Sequence, residues 1–331
     1  MTGAPTNPRA PSPHISVIVP ARNAANSVGD LLAALATQTL PRDQFEVLVV
    51  DDGSVDETAA LVEAWVERDR SRRRLLRGAG RGPAHARNLA LAHARGEWVA
   101  FTDADTLPRR DWLEAGLATL ERTGAQALEG AVDPWPDLEP LPHHHYVSNR
   151  LGGRYLTANM VYRRELLERV GGFDEEFPDA FLEDSDLAFR VLDLGVEIPF
   201  APGMRVRHPV RDVALRDALR AVERVRSLPL LAEKHPRRYH ELRPVVRPVS
   251  SVDVDLLLAL PAAGAAARAR GLGRLVLLGV AAKGVRSALL AGRVLAGPRE
   301  EMLVRAALSL ALPPLRAWWW LLACARSRRV V

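Results

Sequence analysis

The sequence predicts an α/β fold, a mostly parallel sheet flanked by helices, with a helical region at the C-terminal end. Three observations carry this. Apolar, β-rich runs alternate with helical repeats from His14 to Asp105. Two of these runs end abruptly in carboxylates, as strands do where an open α/β sheet meets its ligand crevice. Beyond Val252 the composition turns to Leu, Ala and Gly with scattered arginines.

His14-Ile-Ser-Val-Ile-Val-Pro20 reads as the first strand, stopped by Pro20. A loop carrying Asn23 follows, with Ser27 and Asp30 as a capping-box variant before a helix that ends ahead of Pro41. Phe45 to Val50 is a second strand, closing in Asp51-Asp52-Gly53-Ser54, and Asp56 caps a helix through about Arg70. Arg72 to Arg77 is a short strand. The glycine-rich Gly78-Ala-Gly-Arg-Gly-Pro83 then opens a helix, Ala84 to Ala94, that bears Arg87 and Asn88. Backbone N–H groups of such a loop can hold phosphate, although its spacing fits neither a Walker loop nor a dinucleotide fingerprint.

Val99-Ala-Phe-Thr-Asp-Ala-Asp-Thr106 is the next strand and the centre of the functional reading. Asp103 and Asp105 stand at i and i+2, which on regular strand places both on one face. Paired hard oxygen ligands suit Mg²⁺ or Mn²⁺, ions that usually carry substrate phosphates. From Val132 to Arg154 the chain reads as a long Pro-rich connection, with Trp135 and Tyr146 suited to stacking on a sugar and His143 to His145 pointing in alternating directions. Leu215 to Glu233 has helical periodicity, and prolines from Pro236 to Pro248 mark a boundary.

Taken in order, Val19-Pro20 with Asn23, Asp51 to Asp56, Arg87-Asn88 and Asp103-Ala-Asp105 resemble glycosyltransferase family 2 on a GT-A, Rossmann-like fold. Thr157-Ala-Asn-Met-Val-Tyr-Arg-Arg164, Gly171-Gly-Phe-Asp-Glu175 and Phe181-Leu-Glu-Asp-Ser-Asp-Leu-Ala-Phe-Arg190 extend the resemblance, which covers roughly Ile15 to Pro209. It implies an inverting transfer of sugar from a nucleotide-diphosphate sugar, a UDP-sugar by default, to a hydroxyl of a glycan or lipid-linked acceptor. Pro20, Asn23, Asp52, Arg87, Asp103 and Asp105 would bind the donor, with Asp52 on the base. Asp103, Asp105 and His208 would hold the divalent cation. Asp184, beside Glu183, would take the acceptor proton, whereas Asp186 reads as structural because helix first turns favour acids anyway. A sugar-phosphate nucleotidyltransferase and a non-catalytic sugar-nucleotide-binding relative are the alternatives. The first would want a Gly-rich, Lys-bearing loop where Ala21-Arg-Asn23 stands.

The charge is unevenly placed. Leu256 to Val331 holds twelve Arg or Lys against two Glu, a tail of +10 on a body of −5. That tail, with Trp318-Trp-Trp320, suits an anionic membrane surface, and nucleic acid is not an expected partner. The expected organisation is a lead-in over 1–13, a catalytic domain over 14–243, and a helical, membrane-associated region over 250–331. Met1 to Pro13 has no signal-peptide pattern, so the expected location is the cytoplasm, peripheral to or inserted in the membrane face. Cys324 is the single cysteine, which excludes an internal disulfide.

Overall fold

The structure is a computed structural model. It describes residues 13–136, 144–177, 179–212 and 224–239, with the single positions 265, 278, 281, 282 and 285. The chain divides into two compact units, Met1–Asp133 with Ser148–His208, and Pro134–Val147 with Pro209–Val331.

The first unit is built on an eight-stranded sheet. Its strands are β1 (Ile15–Ala21), β2 (Phe45–Asp51), β3 (Arg73–Arg77), β4 (Trp98–Phe101), β5 (Leu107–Pro108), β6 (Ala127–Trp135), β8 (Met160–Arg163) and β9 (Phe200–Pro209), while β7 (His144–His145) lies outside this sheet. Their order is β3-β2-β1-β4-β8-β6-β9-β5. β2 is buried along its whole length and β1 at every residue but Pro20, as expected of interior strands covered on both faces. β1 pairs parallel with β2 and β4, bringing Ile15 level with Phe45 and Trp98. The parallel arrangement holds through these first four strands. Beyond β4 the pairings of β8, β6, β5 and β9 include antiparallel ladders.

Helices α1 (Val28–Ala36), α2 (Thr58–Val66), α3 (Pro83–Leu91), α4 (Trp112–Thr123), α5 (Arg164–Val170) and α6 (Glu183–Asp193) accompany the sheet. Several local expectations are corrected. The Ser27 hydroxyl donates to the Ala24 carbonyl at 3.3 Å and does not cap α1. α2 begins at Thr58 and stops at Val66, with Asp56 accepting from the Thr58 N–H at 3.0 Å. The stretch from Val132 to Trp135 continues β6 and is not loop, since the apolar alternation carries on past Asp133.

Buried polar side chains pin the layers. Glu46 accepts from the Ser16 hydroxyl and is paired with Arg74 and Arg95 at the ends of the strands remote from Asp103. Asn159, fully buried, accepts from the Trp112 indole N–H at 2.8 Å and donates to the carbonyls of Ala131 and Met204, each at 2.8 Å. Gly130 lies directly under this amide, where a Cβ would overlap it.

In the second unit β7 pairs antiparallel with β10 (Arg211–Asp212). A 3₁₀ turn over Arg224–Ser227 leads into α7 (Leu228–Lys234), which buries Leu228 and Leu231. The expected helix from Leu215 is therefore described only from Arg224 onward. His143, the 243–250 boundary and the helical tail, apart from those single positions, lie outside the described residues. No helix among the described residues is long and apolar enough to cross a membrane.

Asn159→Ala would strand three buried hydrogen-bond partners, each worth about 1 kcal/mol or more. The expected result is a loss of about 3 kcal/mol, read as a lower urea midpoint with the slope unchanged. An unchanged midpoint would show that these layers do not depend on the amide.

Candidate active site

Asp103 and Asp105 follow β4, which stops at Phe101. They therefore sit in a turn, not on regular strand as the i, i+2 spacing suggests. Thr102 and Thr106 shape that turn. Their hydroxyls are 2.7 Å apart, Thr102 donates to the Ala158 carbonyl at 3.0 Å, and Thr106 donates to the Asp103 carbonyl at 2.8 Å.

His208 arrives from β9. The antiparallel register pairs Leu107 with Arg207, so the next residue along β9 comes level with the end of the Asp turn. Its ring is buried and Nε2 lies 3.6 Å from Asp105 Oδ1. One ligand atom each from Asp103, Asp105 and His208 falls within 4.8 Å of the others. Two carboxylates and an imidazole are a donor set for a divalent transition ion or Mg²⁺, so the residues present fit the expected cation.

Arg87 joins this group to α6. It projects from α3 with its side chain 3% exposed. NH2 donates to Asp103 Oδ1 at 3.0 Å and NH1 to Glu183 Oε1 at 2.8 Å. Burial alone disfavours the cation, but the charges of Asp103 and Glu183 outweigh it and hold Arg87 protonated. The guanidinium lies 5.4 Å from the Phe173 ring centre, and Phe173 meets Phe101 edge-on at 5.2 Å.

Glu183 and Asp184 open α6, behind Leu182 at φ +76°, a left-handed conformation that costs a non-glycine residue about 1 kcal/mol. The two acids have different surroundings. Glu183 is buried and engaged with Arg87; burial pushes its carboxyl up while Arg87 opposes the rise. Asp184 is half-buried, and its Oδ1 accepts from the Ser185 N–H at 2.7 Å. Burial pushes its carboxyl up, the neighbouring charge of Glu183 adds to this, and it reaches about 7. Asp186 is paired with Arg190 at 2.7 Å, and Arg190 also donates to the carbonyls of Val170 and Gly172, which gives Asp186 a structural place.

The loops at the β1 and β2 ends interlock. Asn23 accepts from the Val55 N–H at 2.9 Å, and its own N–H donates to the Ser54 hydroxyl. Pro20 is the penultimate residue of β1, half-buried. Asp52 accepts from the N–H groups of Gly80 at 2.8 Å, Arg81 at 3.2 Å and Gly82 at 2.8 Å. The glycine-rich loop thus spends these donors on Asp52, where the sequence suggested a phosphate cradle. Gly80 and Gly82 take φ of +70° and +99° to aim them there.

Asn88 fastens the Gly-Gly-Phe-Asp turn. Its amide accepts from the Phe173 N–H at 2.7 Å and donates to the Phe173 carbonyl at 2.9 Å, and Gly172 leaves room for it. Glu175 in the same turn pairs with Arg81 at 2.7 Å and approaches His85 at 3.1 Å. Trp135 and Tyr146 are about half exposed and belong to the second unit.

The sequence reading missed Glu129. This buried residue of β6 accepts from Asn149 Nδ2 and from the N–H groups of Gly153, Arg154 and Tyr155. Its one signal was a charge inside an apolar run, Ala127-Leu-Glu-Gly-Ala-Val132.

Comparison with known proteins agrees with this geometry. Residues 16–173 match the model of glycosyl transferase family 2. The chain is 29% identical over 212 residues to the glycosyltransferase AglE of Haloferax volcanii, covering 60% of this chain and 68% of that one. It is 32% identical over 258 residues to the pre-mycofactocin glycosyltransferase of Mycobacterium tuberculosis, covering 70% of this chain but 50% of that relative. Among solved structures it is similar to the mannosyltransferase PcManGT from Pyrobaculum calidifontis in complex with GDP-Man and Mn²⁺. There the TM-score is 0.55 at 25% identity, over 96% of this chain and 87% of that one. By its motifs, its relatives and its GT-A architecture, the region over residues 16–173 belongs to glycosyltransferase family 2.

Proposed function

We propose that the chain transfers a sugar, with inversion, from a nucleotide-diphosphate sugar to a hydroxyl of a glycan or lipid-linked acceptor. The observation that carries this reading is the Asp103, Asp105 and His208 cluster joined through Arg87 to the acidic N-terminus of α6. Asp103, Asp105 and His208 would hold Mn²⁺ or Mg²⁺. When bound, the cation would neutralise charge developing on the departing diphosphate. PcManGT, in complex with GDP-Man and Mn²⁺, makes a guanosine donor a candidate beside the uridine default.

Pro20, Asn23 and Asp52 line the nucleotide end. Asp52 acts there chiefly by ordering the Gly80 to Gly82 loop, with its remaining lone-pair capacity for the base. Asp184 is the general base. The acceptor oxygen attacks the anomeric carbon as its proton passes to the Asp184 carboxylate, and the bond from that carbon to the diphosphate oxygen breaks. Glu183 is held by Arg87 and positions this chemistry.

In the sequence, the tail beyond Leu256 combines a charge of +10 with Trp318 to Trp320. Arginines beside an anionic leaflet gain on the order of 1 kcal/mol each. We assign it to a membrane surface on the cytoplasmic side, where it would bring the crevice to a lipid-borne acceptor.

Asp105→Ala should abolish transfer and remove the Mn²⁺-dependent part of donor binding, measured by calorimetry with GDP-mannose and UDP-N-acetylglucosamine. Binding that still strengthens with Mn²⁺ would remove Asp105 from the metal site. Asp184→Asn should bind donor as wild type but lose about 10²-fold or more in turnover. The base works only when ionised and its carboxyl reaches about 7, so wild-type kcat/KM should fall as pH drops below that value. Wild-type turnover in Asp184→Asn, or a profile flat down to pH 5, would move the role elsewhere. The full chain should sediment with vesicles containing phosphatidylglycerol, less so in high salt. Salt-independent sedimentation, or none, would end the membrane assignment.

A further inference from the structure

Tyr162 stands in the middle of the sheet. It is paired across to Val99 of β4 on one side and to Ala127 of β6 on the other, so its backbone cannot shift without breaking two ladders. Its side chain is fully buried, and its hydroxyl has no hydrogen-bond partner. A phenol O–H sealed from water without an acceptor is costly, and a sheet interior could replace it with phenylalanine at no loss of shape.

The surroundings of that hydroxyl are informative. Tyr162 shares one apolar cluster with Leu187 and Val191 of α6. Counting back along α6, Asp184 is three residues before Leu187 and seven before Val191, which puts it on the same helical stripe. The face of α6 turned to the apolar cluster that holds Tyr162 therefore carries Asp184 at its N-terminal end. Of the neighbouring charges, that of Asp184 acts most strongly on the phenol, ahead of Glu129, Tyr155 and Arg190. Burial first, and then these negative charges, hold the phenol well above its ordinary range, so it remains a donor. Asp184 itself feels the charges of Glu183, Arg87 and Asp103, and its Oδ1 accepts from the Ser185 N–H.

We propose that Tyr162 is a positioning residue for Asp184, its phenol O–H donating to the carboxylate oxygen that the Ser185 N–H leaves open. The bond forms when the Asp184 carboxyl ionises and its side chain turns from the helix end toward the phenol. It fixes the direction of the carboxylate and favours the ionised form. This rests on Asp184 being the base. A hydroxyl with no structural partner in the resting sheet then serves the reactive arrangement.

The test is a side-chain carboxyl titration of the full chain labelled with ¹³C-aspartate, without metal, in wild type and in Tyr162→Phe. The resonance missing from Asp184→Asn identifies the group. Tyr162→Phe should raise its midpoint by about one unit, because a hydrogen bond to the charged form has been removed. In the release of nucleoside diphosphate from donor with Mn²⁺, kcat/KM of Tyr162→Phe should then fall about tenfold below the acid limb and match wild type well above it. At pH 5, where the Asp184 carboxyl is protonated, the melting temperature of Tyr162→Phe should not fall, since the bond is made only to the ionised form. Adding Tyr162→Phe to Asp184→Asn should change turnover no further. An unshifted midpoint overturns the proposal whatever the turnover. A shifted midpoint with wild-type turnover in Asp184→Asn would leave the contact standing and overturn the base assignment instead.

Discussion

The guanidinium of Arg87 has almost no contact with solvent, so its charge must be balanced inside the protein. It is balanced by two carboxylates from distant parts of the chain, Asp103 after β4 and Glu183 at the start of α6. Removing one member of such a buried group leaves an uncompensated charge, at a cost of about 3–5 kcal/mol. The arrangement therefore fixes position more than it adds stability. Asp103 cannot swing freely while Arg87 holds one of its oxygens, and the first turn of α6 cannot slide while Glu183 holds the other nitrogen. Phe173 lies against the guanidinium and is itself backed by Phe101, so the pairing is made in apolar surroundings that strengthen it. The left-handed backbone at Leu182 is held against its own preference by the same anchoring.

One consequence is a division of labour between adjacent acids. Glu183 and Asp184 are neighbours in sequence, yet one is committed to Arg87 and the other is left with a carboxyl near neutrality. The charge of Glu183 helps to raise Asp184, so the anchored acid tunes the free one. A pair of like acids thus yields a fixed strut and a carboxyl near neutrality, because their environments differ while their chemistry does not.

Much of this was legible in the sequence, for a physical reason. Buried strands announce themselves as apolar runs, and a carboxylate at the end of one has little structural excuse. That is how Asp52, Asp103 and Asp105 stood out. Less legible was what each group does once folded. Asp52 looked like a free ligand contact, yet three backbone N–H groups converge on it from a loop about thirty residues on. Glu129 went unseen, and Asn159 and Tyr162 stood in the Thr157 to Arg164 segment without a role, because their partners lie on other elements that no local pattern reports. His208 is intermediate. Family likeness pointed to it, but only the register of β9 against β5 explains how it meets Asp105. The antiparallel half of the sheet was hidden for the same reason, since pairing direction depends on connections and not on composition.

The long reach of the Arg87 link also bears on the order in which the protein can mature. Synthesis proceeds from the N-terminus, and domains begin to fold as they emerge. A nascent chain that has reached Phe101 already contains the residues of β1, β2, β3 and β4, which pair parallel in the folded protein. Arg87 is present by then, but its partner Glu183 lies 96 residues downstream and His208 further still. Glu175, which gathers Arg81, His85 and Asn88, is likewise absent. The four parallel strands are thus synthesised, and Asp103 soon after them, long before the second carboxylate that balances Arg87. The Arg87 link therefore cannot close until nearly all of the first unit has been synthesised.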